Sequence, residues 1–150
     1  MTTPAEGAPL PAAIADWFAG RGWRVRNHQA AMFTADRAGD HALLVASTGA
    51  GKTLAGFLPT LADAAEGPIE GLHTLYISPL KALAVDIQRN LKAPINEIGL
   101  PLTVETRTGD TPSDRKARQR VRPPNILLTT PESLSLMLSH EDSFTLFAGL

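Results

Sequence analysis

The apolar run Ala42-Leu43-Leu44-Val45-Ala46 passes directly into the small-residue loop Ser47-Thr48-Gly49-Ala50-Gly51, and then into Lys52-Thr53 at the head of a helical pattern. The run reads as a buried strand. Leu54, Phe57, Leu58 and Leu61 read as the inward face of a helix over about 52–65, with Pro59 expected to kink or weaken one turn. Strand, glycine loop, Lys-Thr and helix in this order form a P-loop, and each part has a physical task. Gly49 and Gly51 permit positive φ, so backbone N–H groups of Thr48 to Gly51 can close around phosphate oxygens. The helix N-terminus adds partial positive charge. Lys52 is placed to reach the β- and γ-phosphates, and the Thr53 hydroxyl to ligate Mg²⁺, so ATP and Mg²⁺ are the expected ligands. The eight-residue form of the motif asks for Gly at position 46, where this chain has Ala. The competing reading, a chance Gly-Lys-Thr turn, does not account for the strand and helix on either side.

The segments around this motif alternate. Ile14, Trp17 and Phe18 share one face of a first helix ended by Gly20, and Asn27 can cap a second carrying Ala31, Met32 and Ala35, stopped by Gly39. Beyond the P-loop, strands are expected over 72–78, 102–106 and 126–129. Between them lie a helix over 82–92 with Leu83, Ile87 and Leu91 inward, and a basic helix started by Thr111 as N-cap and Pro112 at its first position. Pro123-Pro124 ends that basic helix. A last helix opens at Thr130-Pro131-Glu132, with Leu134, Met137 and Leu138 inward. Strands alternating with helices predict an α/β fold of RecA-like type, a mostly parallel sheet covered by helices on both faces. Three segments are expected: a flexible lead over 1–12, a helical segment over 13–40, and the P-loop domain over 41–150.

The whole-chain balance narrows the partners. A formal net charge of −1 supplies no global basic field, so any nucleic-acid contact has to come from local patches. There are no cysteines, hence no disulfide and no Cys-based zinc site, which fits a cytoplasmic protein. No apolar stretch is long enough to span a membrane, and Met1 to Leu10 lacks the charged and apolar regions of a signal peptide. His28, His41, His73 and His140 have no second ligand at metal-site spacing.

Each of the later strands is followed by a similar junction. Ser78-Pro79-Leu80-Lys81-Ala82-Leu83 places Lys81 beside a helix N-terminus, a seat for a backbone phosphate; an ordinary turn with a solvated lysine is the plainer reading of these residues alone. Thr108-Gly109-Asp110-Thr111 allows close backbone approach at Gly109, although Asp110 opposes a phosphate unless turned away. The helix after it, with Arg115, Lys116, Arg118, Arg120 and Arg122, reads equally as a solvated surface helix. Thr129-Thr130-Pro131-Glu132 offers a Thr130 hydroxyl and helix N–H groups, or plain capping. Recurrence favours the functional reading, because a parallel sheet sets such junctions along one rim, as a strand-tracking motor requires. Gln29, preceded by Arg24, Arg26 and His28, carries a side-chain amide able to pair with both N6 and N7 of adenine.

Taken together these segments resemble the first motor domain of superfamily 2 helicases, and most closely the Lhr-type, ligase-associated DEXH-box helicases of the bacterial DNA damage response. The resemblance runs from about Ile14 to Leu150. By matching positions, Gln29 is similar to the adenine-reading glutamine and Ala46 to Thr53 to the first motif. Ser78 to Leu83, Arg107 to Thr111 and Thr129 to Glu132 are similar to the strand-contacting motifs: Pro79, Leu80, Lys81, Thr108, Gly109, Asp110, Thr130, Pro131 and Glu132. Gly71 to Ile77 and Arg107 to Thr111 are distinctive for the ligase-associated group. Val25 and Asn27 stand where prolines are usual, and Ser47 where Pro is frequent.

The resemblance implies a 3′-to-5′ ATP-driven DNA helicase acting in repair on single strands, or on duplexes and DNA–RNA hybrids with a 3′ tail, with a DNA ligase and a nuclease as partners. It also implies an Asp-Glu-x-His segment that this chain does not contain, the nearest pair being Glu141-Asp142. On that ground the chain is expected to be an N-terminal fragment, inactive alone as an ATPase. Two other classes fit the P-loop: a kinase or other P-loop NTPase, and a non-catalytic nucleotide- or nucleic-acid-binding module.

Overall fold

The computed structural model describes residues 7–150, so the first half of the expected flexible lead lies outside the described residues. The chain is already tied at Ala8, whose N–H donates to Thr34 Oγ1 at 3.2 Å. It divides into two compact units, Met1–Gly67 and Pro68–Leu150.

The first unit holds α1 (Ala12–Gly20), α2 (Asn27–Arg37) and α3 (Lys52–Glu66). Both α1 and α2 pack on α3. Ala55, Leu58 and Ala62 recur at helical spacing on the buried face of α3, with Ile14 and Phe18 buried on α1 and Phe33 on α2. Trp17 meets Phe18 and Trp23 edge-on, at ring separations of 5.2 and 5.7 Å. The Arg21 guanidinium lies over Trp17 and Trp23 at 5.2 and 4.8 Å, which fixes the path of the chain from α1 into α2. The buried side chains of α2 are Gln29 and Phe33, while Ala31 is exposed. Asn27 is the first helical residue and not the cap: the N-cap is Arg26, whose N–H is taken by Gln29 Oε1 at 2.9 Å. The helix α3 runs through Pro59 unbroken by any change of element.

The expected strand at 42–46 does not form a ladder, and Leu43 and Val45 are 89% and 85% exposed. Its apolar residues have strand composition, but a strand exists only where a neighbour takes up its backbone N–H and C=O groups.

The second unit is built on a sheet of β1 (Thr74–Ile77), β2 (Val104–Arg107) and β3 (Ile126–Thr129) in the order β1-β3-β2, both pairings parallel. Central β3 is buried at every position, which is why it reads as a continuous apolar run and not as an alternation. Leu127 packs with Leu72, and with Met137 of α6 (Pro131–Leu138) and Leu146 of α7 (Ser143–Leu146), a short helix the sequence did not suggest. Successive strand side chains point to opposite faces, so Ile126 and Leu128 serve the other layer. There α4 (Lys81–Ile98) lies against β2 and β3 and buries Ala84, Ile87, Leu91 and Ile95. Helices therefore cover both faces. The outer edge of β2 is blunted by α5 (Ser113–Val121), whose Gln119 Nε2 donates to Thr106 O at 3.1 Å.

Expectations for three helices are corrected in this unit. The helix α4 continues past Lys92 and through Pro94 to Ile98, and Leu83 faces outward with Ala84 inward in its place. Leu138 is exposed, because the buried face of α6 ends at Met137. Thr111 does not cap α5: Pro112 holds the N-cap position, and Thr111 Oγ1 turns back to accept from Thr108 N–H at 3.0 Å.

Asn125, ahead of β3, ties the strand entrances together. Its Oδ1 accepts from Thr103 N–H at 2.9 Å and from Thr103 Oγ1 at 3.0 Å, and its Nδ2 donates to Ile69 O at 2.9 Å and Gly71 O at 3.1 Å. Asn125→Ala is expected to destabilise the full-length protein by roughly 1–3 kcal/mol for each buried group left without a partner. Asn125→Asp is expected to be no better at neutral pH, since a carboxylate would face two carbonyls. Urea midpoints that match the native protein's for both variants would refute this role.

Candidate functional site

In the first unit the chain reaches α3 through a tight turn in which Ala50 N–H donates to Ser47 O at 3.2 Å. Gly49 and Gly51 have φ of 78° and 76°, and Gly51 is the N-cap of the fifteen-residue helix α3. The left-handed glycines of the motif are thus present, and they sit where the helix dipole favours an anion. Lys52 Nζ donates to Ala46 O at 2.7 Å and Ser47 O at 2.8 Å, which folds its charge back over the loop. Thr48 and Thr53 are exposed, Thr53 on the first turn of α3.

Gln29 is only 3% exposed, and its amide joins two pieces of backbone. Oε1 accepts from Arg26 N–H, and Nε2 donates to Gly51 O at 3.4 Å. An amide oxygen has two lone pairs and an amide nitrogen two N–H groups, so these two bonds use one of each. The loop side of Gly51 is close against this amide: a Cβ there would lie 2.8 Å from Gln29 Nε2, whereas one on Gly49 would meet nothing within 4 Å.

Among the described residues no group of His, Asp or Glu is arranged to hold a metal ion. A single Thr53 hydroxyl fits Mg²⁺ only in the way usual for nucleotide-bound Mg²⁺, which keeps water and phosphate oxygens as its main ligands.

In the second unit the three junctions follow the C-terminal ends of β1, β3 and β2, and parallel pairing sets them along one edge. After β1, Ser78 is buried and its Oγ accepts from Leu80 N–H at 3.3 Å, leaving Pro79, Leu80 and Lys81 exposed. Lys81 Nζ is paired with Asp110 Oδ2 at 3.0 Å, so Asp110 is turned toward the lysine. The two residues share a cleft of about 260 Å³ with Thr106, Thr108, Thr111 and Arg115. After β2, Thr108 Oγ1 accepts from Asp110 N–H at 3.3 Å and Lys116 Nζ donates to Gly109 O at 3.3 Å, which closes the turn on itself. After β3, Thr130 is buried: its Oγ1 accepts from Ser133 N–H at 3.4 Å and donates to Ser133 Oγ at 3.2 Å, so the hydroxyl is used in capping α6. Pro131 and Glu132 are exposed beside it.

Two arginines of α5 are tied within the chain. Arg118 Nη2 donates to both Glu105 oxygens at 2.8 Å, and Arg120 Nε donates to Asp142 Oδ2 at 2.8 Å. The bond from Arg120 holds the Asp142 carboxyl below its ordinary range. That pair is therefore complete at neutral pH and is lost as pH falls through the depressed folded value. Arg107, buried at the end of β2, donates from Nη1 to Lys116 O at 2.9 Å; burial, aided by Arg120, lowers its pKa against the opposing effect of Asp142.

Residues 26–148 match the DEAD/DEAH box helicase family. The chain belongs to that family. It is 48% identical over 124 residues to the Lhr helicase/probable uracil glycosylase of Mycolicibacterium smegmatis, covering 74% of this chain and 8% of that protein. It is 39% identical over 127 residues to the ATP-dependent helicase Lhr-Core of Methanocaldococcus jannaschii, covering 75% and 15%. Its fold is similar to that of Mycobacterium smegmatis helicase Lhr bound to ssDNA and AMP-PNP, with a TM-score of 0.85 and 37% identity over 99% of this chain and 20% of that one. The chain thus spans less than a fifth of the length of either curated relative.

As a DEAD/DEAH box helicase segment, the chain holds ties that its sequence did not reveal. Arg26 Nη1 donates to Gly49 O at 3.2 Å, and His28 Nε2 lies 2.7 Å from Ala50 O. Asn125 is a further residue the sequence reading does not single out, although an Asn next to Pro124 before an apolar run carries a turn signal. The unequal surroundings of the two loop glycines give a test. Gly51→Ala adds a crowded Cβ to a left-handed residue and is expected to weaken ATP-analogue binding more than Gly49→Ala, whose cost is the left-handed conformation alone, about 1–2 kcal/mol. Equal losses in the full-length protein would contradict the packing of Gln29 on Gly51.

Proposed function

We propose that this chain is the nucleotide-binding and strand-contacting part of an ATP-dependent helicase that moves 3′ to 5′ on single-stranded DNA and opens duplexes or hybrids with a 3′ tail. The observation that carries this reading is the loop itself: two left-handed glycines at the head of α3, with the Lys52 ammonium on the carbonyls of Ala46 and Ser47, in a chain of the DEAD/DEAH box family. The similar Lhr structure bound to ssDNA and AMP-PNP supports ATP as nucleotide and DNA as partner.

In this reading the loop N–H groups and the Lys52 ammonium hold the triphosphate, and the remaining donor and acceptor of Gln29 read adenine. Thr53 would hold Mg²⁺, which when bound supplies charge neutralisation on the phosphates. The exposed residues Pro79, Leu80, Lys81, Gly109, Pro131 and Glu132 line the strand path, with Thr108 and Thr130 buried behind them as turn and cap. Lys81 meets a phosphate by leaving Asp110, an exposed pair whose own contribution is small. A place in DNA repair beside a ligase and a nuclease follows the same resemblance.

The test is ATP turnover by the full-length protein with and without single-stranded DNA. Stimulation is expected in the native protein and its loss in Lys52→Ala. Lys81→Ala is expected to lower single-strand affinity at every sequence and to reduce the slope of log affinity against log salt by about 0.7, one phosphate contact on a single strand. Unstimulated turnover that survives Lys52→Ala would reject the reading. A Lys81→Ala loss confined to some sequences would replace phosphate contact with base readout.

A further inference from the structure

Three consecutive loop carbonyls each take a donor from the start of α2. Arg26 Nη1 reaches Gly49 O at 3.2 Å, His28 Nε2 reaches Ala50 O at 2.7 Å, and Gln29 Nε2 reaches Gly51 O at 3.4 Å. The His28 contact is the shortest of the three. We propose that His28 is a positioning residue of the nucleotide loop, holding the Ala50–Gly51 peptide so that the Gly51 N–H faces the phosphate side. This inference rests on the reading of the loop as the ATP site.

The argument is one of peptide geometry. A trans peptide is planar, and its C=O and N–H point to opposite sides. A donor on the Ala50 carbonyl therefore fixes the direction of the Gly51 N–H. That peptide adjoins a left-handed glycine, where the backbone has the most conformations to lose. Without an outside tether it is free to rotate, and a nucleotide would have to order it on binding. A carbonyl only accepts, so Nε2 carries the proton, and the ring acts as a donor in both its neutral and its protonated forms. The neighbouring ties do not replace it. Arg26 acts one peptide earlier and from an exposed position, and Gln29 acts one peptide later at the longest distance. Gly51 O already accepts from Ala55 N–H at 3.0 Å inside α3, whereas the Ala50 carbonyl lies ahead of the helix.

The experiment compares His28→Ala, His28→Gln and His28→Asn in the full-length protein. It measures affinity for a fluorescent ATP analogue, then KM for ATP and kcat. A Gln amide nitrogen can reach the place of Nε2; an Asn amide nitrogen is too short. A pre-ordering bond acts on ground and transition states alike, so its loss raises KM and leaves kcat nearly unchanged. His28→Ala and His28→Asn are expected to weaken the analogue by about twofold to tenfold, the worth of one hydrogen bond. His28→Gln is expected to restore most of this. The thermal midpoint without nucleotide is expected to stay constant across the series. Should His28→Ala fail to fold, the Gln and Asn pair decides alone: Gln well above Asn supports the role, and equality overturns it. Native-like affinity in His28→Ala beside a Lys52→Ala protein that has lost ATP overturns the His28 role and leaves the loop assignment standing. Native-like affinity in Lys52→Ala removes the loop assignment itself.

Discussion

Parallel pairing on a buried central strand governs the second unit. Because β1 and β2 both run alongside β3 in the same direction, each strand delivers its following turn to the same edge. The order β1-β3-β2 puts the junction at Thr130 between those at Lys81 and Thr108. The entrances are tied by Asn125 at one end of β3, and the exits by Thr129 Oγ1, which donates to Arg107 O at 2.6 Å, at the other. A polar side chain at each end of an apolar strand thus holds the register that aligns the exposed turns, and the cleft of Lys81, Asp110 and Arg115 follows from that alignment.

In the first unit the corresponding constraint is the hold of α2 on the glycine loop. The aromatic cluster of Trp17, Phe18 and Trp23 with Arg21 directs the chain from α1 to Arg26, and from there donors fall on successive loop carbonyls. Glycines give the loop its left-handed turns and also the most backbone conformations to lose, and the side chains from α2 hold its carbonyls. Preorganised N–H groups bind phosphate without a reordering cost, which is the physical requirement of a nucleotide site.

Local signals carried much of this into the sequence. The glycine positions of the loop were legible because only glycine accepts φ near 76° without strain, and 126–129 was legible because an apolar run is bounded by Pro123-Pro124 and by Thr130-Pro131. The Thr130 cap was legible for the same reason. What stayed hidden depends on distant partners. Leu43 and Val45 have strand composition, yet pairing is decided by neighbours that composition does not specify. His28 acts on Ala50 and Asn125 on residues 69, 71 and 103, and no spacing rule links those positions. Thr111 shows a local rule losing to a nearby competitor: its hydroxyl suits a cap, and the Thr108 N–H claims it first.

If nucleotide and strand contact belong to one motor, the two ligands must bias each other's binding, and reciprocally. The most direct measurement is the equilibrium affinity of the full-length protein for single-stranded DNA with AMP-PNP and with ADP, paired with the affinity for AMP-PNP with and without DNA. The account predicts that AMP-PNP and ADP give different DNA affinities, and that DNA shifts AMP-PNP affinity by the same factor that AMP-PNP shifts DNA affinity. Identical DNA affinity in both nucleotide states and without nucleotide would contradict it.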